Sequence, residues 1–547
     1  MASPGIFIED STRVYPRSRT RSLGVVPLSL LDATTANFAL SNAIWLFDRS
    51  QSRDLRNLDL AGHFRQTLSA TLDAYPHFAG QVKAIRTADG GVSDELAHLP
   101  AHARRFGRVY ARFGTDEDPG VAYITATSSY TLDELHPLSR TENTPLWDQG
   151  KGTVAKLAPP EAVAKAFDPD EKPLQDTFLP VVAVQVTKLA CGCFALAVKA
   201  THPLVDITGL RTFVKDWASI SRAVLSGDDE PVPRPIFDPS KLDYLAAGDI
   251  NAPVSDPGLV ERAENLPLHR YDWWASAATC PWPMEIPDPF QHEALGPSGK
   301  IMPWSEWDVT APVSHYVIHL TKEQVEYLYA TARRESRQKI SRHDAILAHI
   351  WSCVVRSRNL ADGLVHCDLV YGVRPHLHAG MDFIGSPMLI MDVEMSVLDI
   401  TKAGGVRSSC STSTLGRTAS RVRETITAVA QPESISAHLH SVAYEKSPQR
   451  IWQAFMGQRH VLVTSWARAG VYDVDFGLGP VRYVDSVMPN MDGIVVIKEA
   501  PPHDHANSRE KSQSWTDEGV DVSVHIEEEA MKRLLEDSLL LPRAPKS

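Results

Sequence analysis

The chain has 547 residues, 43% of them hydrophobic and 22% charged, which exceeds what one hydrophobic core usually organises and matches a water-soluble globular protein. Acidic side chains outnumber basic ones 67 to 55, so the net charge of -12 excludes broad nucleic-acid binding, which needs a basic face. No run approaches the ~18 consecutive apolar residues of a spanning helix, so no membrane span is expected.

The N-terminus has no basic region followed by an apolar core, so no signal peptide is expected. The six cysteines, at 191, 193, 280, 353, 367 and 410, form no Cys-x-x-Cys pair. That spacing points to reduced thiols in a cytoplasmic protein without a metal site.

Apolar side chains at Leu55, Leu58, Phe64, Leu68 and Leu72 have helical spacing, and Pro76 lies just beyond them. Residues 181–188 and 193–199 read as two strands joined by a tight turn. An amphipathic helix follows Asp206, with Leu210, Phe213, Val214, Trp217, Ile220 and Val224 on one face and its end near Gly227. Twelve prolines between 231 and 297 then mark a crossover. A helix over 322–334 leads to Ser341, an N-cap with Asp344 three residues on, and to a second helix over 345–351. Residues 403–420, rich in Ser, Thr and Gly, read as a loop. Strands return at 460–466, 479–484, 493–498 and 520–526, and a terminal helix begins near Glu527.

The chemistry concentrates at a strand end. His202 closes the strand over 193–199 and Asp206 follows four residues later, just before the helix. An imidazole has a pKa near 6.5 and can take a proton at neutral pH, so this is the minimum equipment of a general base. Asp206 also suits a plain N-cap. The same spacing recurs at His378 and Asp382, but with no strand before it and no helix after it, which reads as loop. Asp475, Phe476, Gly477, Leu478 and Gly479, followed by Pro480, force a tight backbone path and read as a turn. The close pairs His376/His378, His438/His440 and His503/His505 lie in loop-like or unassigned stretches without a third ligand. Solvent-exposed histidines and no metal are expected there.

These residues carry a resemblance. The stretches 201–206 and 475–479 resemble, in order, the two signatures of the BAHD acyltransferase family, which passes acyl groups from coenzyme A thioesters to hydroxyls or amines. Residues 28–33, 68–80 and 371–375 are similar to further family segments. Residues 340–351 resemble the form seen in fungal trichothecene acetyltransferases. The resemblance covers nearly the whole chain.

It implies an α/β fold of two similar domains, each a mixed β-sheet with flanking helices as in chloramphenicol acetyltransferase, with an active-site channel between them. The expected division is 1–227, carrying His202 and Asp206; a crossover over 228–300; and 301–547, carrying the second signature. The implied reaction is transfer of an acyl group, acetyl by analogy, from acyl-CoA as co-substrate to a hydroxyl of a small natural product. No bound cofactor and a monomer are expected. His202 would act as general base. Asp206 would pair with Arg374 and hold the loop, and Asp475, Phe476, Gly477 and Gly479 would be structural. For the coenzyme A phosphates, Lys339, Ser341 and Arg342 offer cations and free N–H groups at a helix start. Three departures from the family pattern stand out: Ile207 in place of glycine, Leu478 in place of tryptophan, and Ser386 in place of asparagine. The second leaves the oxyanion donor open, with Thr464 or Ser465 as candidates. The alternatives are a carrier-protein-dependent condensation or cyclisation enzyme of the same superfamily, or a non-catalytic binding relative.

Overall fold

The computed structural model describes residues 5–18, 22–36, 40–52, 55–87, 93–149, 154–168, 178–336, 338–377, 380–401, 414–502 and 514–543. Two large mixed sheets organise them. The first holds six strands in the spatial order Ile6–Val14, Val121–Ser128, Val182–Leu189, Phe194–Thr201, Leu40–Phe47 and Val481–Ser486. The second holds seven: Met388–Ser396, Leu364–Gly372, His460–Ser465, Ile494–Glu499, Val520–Glu527, Val313–Leu320 and Leu146–Asp148.

The sheets trade strands across the division drawn from sequence. Val481–Ser486 closes the first sheet beside Leu40–Phe47, and Leu146–Asp148 closes the second beside Val313–Leu320. Both are short edge strands, too brief for periodicity to place them in a sheet.

The central strands of the first sheet, Val182–Leu189 and Phe194–Thr201, are buried almost throughout, as expected when both faces are covered. Gly192 turns between them at φ +82°, a left-handed conformation that glycine adopts without steric cost. The motif helix, Ile207–Ser226, starts on Asp206 and stops at Gly227, which is left-handed at φ +71°. Its face of Leu210, Phe213, Val214 and Trp217 is fully buried. The neighbouring helix spans Leu60–Thr71, shorter than the apolar spacing over 55–74 suggests. Asp59 caps it, and a separate 3-10 turn takes Leu55–Asn57.

The crossover is pinned rather than loose. Its short strand Tyr271–Asp272 pairs with Ile451–Trp452, and Asp272 accepts from Arg450 Nε at 3.0 Å and Nη2 at 2.7 Å. One expectation needs correcting. Residues 414–420 are not loop but open the helix Thr414–Val429. Leu415, Ala419, Val422, Ile426 and Val429 give it a helical stripe that Ser/Thr-rich composition masks, and Ala419, Val422 and Val429 are fully buried. Residues 403–413 lie outside the described residues.

Candidate active site

His202 opens a single 3-10 turn, His202–Leu204, at the end of the strand Phe194–Thr201. Leu204 and Val205 are fully buried and anchor the turn. Ser41 Oγ donates to the Val205 carbonyl at 2.5 Å, and the Asp206 N–H donates to the Gly385 carbonyl at 3.0 Å. The imidazole is half-buried where the first sheet meets the segment between Arg374 and Met388. Its Nδ1 lies 2.8 Å from Ser386 Oγ. Burial pulls its pKa below the ordinary value, against the opposing charge of Asp206, so the ring is neutral at pH 7.

Asp206 does two jobs. It caps the motif helix by accepting from the Gly209 N–H at 3.0 Å. It also accepts two bonds from Arg374, Nη2 to Oδ1 at 2.7 Å and Nη1 to Oδ2. Arg374 Nη2 also reaches the Phe383 carbonyl at 3.1 Å. This fork of parallel charge-assisted bonds joins residues 168 positions apart. His202, Asp206, Arg374 and Ser386 therefore come together.

A residue that sequence reasoning passed over completes the group. Asp32 is fully buried. Its Oδ1 accepts from the Ser386 N–H at 2.6 Å, and its Oδ2 accepts from the Ser29 N–H at 2.9 Å and the Ser29 hydroxyl at 2.7 Å. Burial raises its pKa to about 7, against these hydrogen bonds. Asp32 thus holds the backbone of the residue whose side chain touches His202. It lies inside the stretch 28–33 that carries part of the family resemblance, and that was its only signal in the sequence.

The other candidates fall elsewhere. Thr464 and Ser465 end the strand His460–Ser465. Alternation puts Thr464 opposite Val496, on the face toward the first sheet's core, and Ser465 opposite Ile497, on the face toward the C-terminal core. Ser465 Oγ also accepts from the Ala467 N–H at 3.3 Å. Ser341 caps the helix Arg342–Ser357 in a capping box with Asp344. Lys339 is exposed beside it. Arg342 is held by Glu326, Nε to Oε1 at 2.5 Å, and Arg423 covers both Ser341 and Asp344, at 3.0 and 2.8 Å.

Asp475, Phe476, Gly477 and Gly479 lie at the far end of the motif helix. Phe476 is fully buried among Phe64, Phe47 and Trp217. Ser221 Oγ donates to the Phe476 carbonyl at 3.1 Å, and Arg222 donates to the Asp475 carbonyl. Asp475 Oδ1 accepts from the Gly477 N–H at 2.8 Å. A Cβ on Gly479 would meet the Asp48 carbonyl oxygen at 2.0 Å, so only glycine fits there. From Asp206 to Ser221 the helix rises about 22 Å, so the two signatures sit well apart. Leu478 packs into the same core.

Of the second His/Asp match, only Asp382 is among the described residues. Asp382 is exposed in a 3-10 turn, and His378 lies outside the described residues, as do His503 and His505. The pair His438/His440 is a correction. Both residues are buried on the helix Pro432–Tyr444 rather than exposed in a loop. His440 donates to the Ala247 carbonyl at 2.7 Å and accepts from the Asp256 N–H at 2.9 Å, so the crossover covers it.

Comparison with known proteins agrees with this architecture. The family model described as "Transferase family" matches residues 116–243 and 303–540. "Acyltransferase AFT15-1" of Alternaria alternata is 24% identical over 521 residues, 91% of this chain and 90% of that one. "Acyltransferase abl6" of Leptosphaeria maculans is 22% identical over 98% of each chain. Among solved structures, F. graminearum TRI101 complexed with ethyl coenzyme A superposes with a TM-score of 0.63 at 17% identity, covering 95% of this chain and 98% of that one. Vinorine synthase superposes at 0.57 with 16% identity, covering 97% and 98%. The two-sheet α/β fold is that of these enzymes, and the chain belongs to the Transferase family, the BAHD acyl-CoA-dependent acyltransferases.

Proposed function

We propose that the protein transfers an acyl group, acetyl in the simplest case, from acyl-CoA to a hydroxyl of a small natural product, with His202 as general base. The observation that carries this reading is a neutral imidazole whose Nδ1 is engaged by Ser386. With Nδ1 protonated and donating to Ser386 Oγ, the Nε2 lone pair is left to accept a proton. It takes the acceptor hydroxyl's proton as that oxygen attacks the thioester carbonyl. The tetrahedral intermediate then collapses, and the imidazolium returns the proton to the departing coenzyme A sulfur. No acyl-enzyme forms.

Thr464, on the face toward the first sheet's core, is our oxyanion donor ahead of Ser465. One such donor is worth about 3 kcal/mol in a transition state. Lys339 and the helix start at Ser341 are our contacts for the coenzyme A phosphates. Arg342 would contribute only by leaving Glu326. Names among the relatives fit a coenzyme A co-substrate: TRI101 has been crystallised with coenzyme A and deoxynivalenol. Both halves of the site come from one chain, which supports a working monomer. The free thiols Cys191, Cys193, Cys280, Cys353 and Cys367 support a reducing, cytoplasmic setting.

The test is a mass-resolved transfer assay with a panel of acyl-CoAs and a mixture of hydroxylated metabolites. We expect a product heavier by one acyl group and an equivalent of free coenzyme A. Failure to bind any acyl-CoA would overturn the reading.

A further inference from the structure

Three histidines and two aspartates gather on one face of the second sheet, outside the site described above. Asp368 stands directly opposite Asp392 across the antiparallel pair of strands Leu364–Gly372 and Met388–Ser396. His366 stands directly opposite His460 across the parallel pair with His460–Ser465. The alternate residues Val365, Cys367 and Leu369 point the other way, into the C-terminal core. His269, from the crossover, lies over the cluster. Its Nε2 is 3.1 Å from Asp368 Oδ1 and 3.4 Å from Asp392 Oδ1. Asp392 Oδ1 is 3.0 Å from His366 Nδ1, and Asp368 Oδ2 is 3.3 Å from His460 Nδ1.

We propose that this cluster is a divalent transition-metal site of the Zn2+ type, held by His269, Asp368 and His460 and flanked by Asp392 and His366. Three observations converge on it. Two carboxylates directly opposite on neighbouring strands repel each other unless a cation sits between them, and this pair is largely buried. His269 Nε2 and Asp368 Oδ1 lie buried and 3.1 Å apart, yet neither has a hydrogen-bond partner of good geometry, which leaves the pair placed to share one ion. Finally, donor atoms about 2.0–2.1 Å from an ion at tetrahedral angles are about 3.3–3.4 Å apart, and His269 Nε2 and Asp368 Oδ1 are 3.1 Å apart. His269, Asp368 and His460 present donor atoms within 4.8 Å of one another, as do His269, His366 and Asp392. Two carboxylates would balance a divalent charge. The Phe455 N–H donates to Asp368 Oδ2 at 2.8 Å, which fixes the orientation of that carboxylate. Tyr271 stacks on His269 with ring centroids 4.7 Å apart, and Phe455 lies 5.3 Å from the His460 ring.

The ion would fasten the crossover to the C-terminal sheet, so its role is structural and independent of acyl transfer. The competing arrangement is a protonated His269 acting as the cation between the carboxylates. The two are separated by direct metal measurement on the full chain, freed of any affinity tag, stripped with a chelator and titrated with Zn2+ or Co2+. We expect one tightly bound ion per chain, a visible absorption band of tetrahedral Co2+, and a higher melting temperature with metal. His269→Gln should weaken uptake on the order of 100-fold or more. A wild-type chain that takes up no ion and shows no Co2+ band overturns the site, as does unchanged uptake by His269→Gln. If His269→Gln does not fold, the wild-type Co2+ spectrum and stoichiometry decide alone.

Discussion

The two family signatures sit at opposite ends of one helix and are built from opposite materials. At the start, His202 and Asp206 are held by polar bonds from distant segments: Ser386, Arg374, Ser41 and, through Ser386, Asp32. At the end, Phe476 is held by rings, with Phe64 centred 4.9 Å away and Trp217 at 5.4 Å. Polar bonds fix direction, which a proton-transferring ring needs. Aromatic packing resists deformation and supplies stability without reactivity. One end of the helix aims the imidazole that we propose as the base, while the other anchors the helix.

The sharpest way to break this contrast is to remove the ring at each end. His202→Ala should lower kcat by about 10²–10⁴-fold while leaving the melting curve near wild type, read by coenzyme A release and thermal unfolding in parallel. A comparable rate in that variant would remove the base from the mechanism. Phe476→Ala should do the reverse, costing about 3–5 kcal/mol of stability through the cavity it leaves. Below its lowered melting temperature, kcat should stay close to wild type.

Ser386→Ala sharpens the polar end. Removing the hydroxyl on Nδ1 costs one hydrogen bond, about 1 kcal/mol, so kcat should fall roughly 5-fold with little change in KM. The pH profile supplies a second readout. Burial holds the His202 pKa below its ordinary value, so the wild-type acid limb of kcat/KM should lie below pH 6.5. A limb displaced in Ser386→Ala would show that the contact tunes the base, whereas pure loss of stability would not move it.

The remaining prediction concerns pH, and it belongs to Asp32. Its folded pKa is about 7, raised from 3.8, so the folded state holds the proton more tightly than the unfolded one. Stability from this group is therefore fully present below the unfolded value and lost as pH rises toward 7. Asp32→Asn should flatten that part of the stability profile, measured by denaturant unfolding from pH 4 to 8.

Which parts of this were legible in the sequence follows from how local the causes are. The strands at 182–189 and 194–201 and the helix after Asp206 announce themselves by periodicity and a cap, because each is decided within a few residues. Arg374 could be named as a partner of Asp206 only through family resemblance. The bond between Asp32 and Ser386 stayed hidden because it spans 354 positions: family likeness marked the stretch 28–33 and the departure at Ser386, but nothing in the sequence linked them. The same holds for His269, His366 and His460, which lie on three separate segments and come together only once the sheet forms. The helix over 414–429 was missed for a different reason: its Ser and Thr residues outweigh its apolar stripe in composition.

The traded edge strands carry a consequence for the life of the chain on the ribosome. Leu40–Phe47 is buried along nearly all its length, and Val481–Ser486 covers its outer edge. Those covering residues emerge more than 430 positions later, which at about 5–20 residues per second is roughly 20–90 seconds of synthesis. For that interval the nascent N-terminal sheet offers a bare apolar edge to any neighbour. An N-terminal fragment that ends before Val481 is therefore expected to aggregate, read by light scattering beside the full chain.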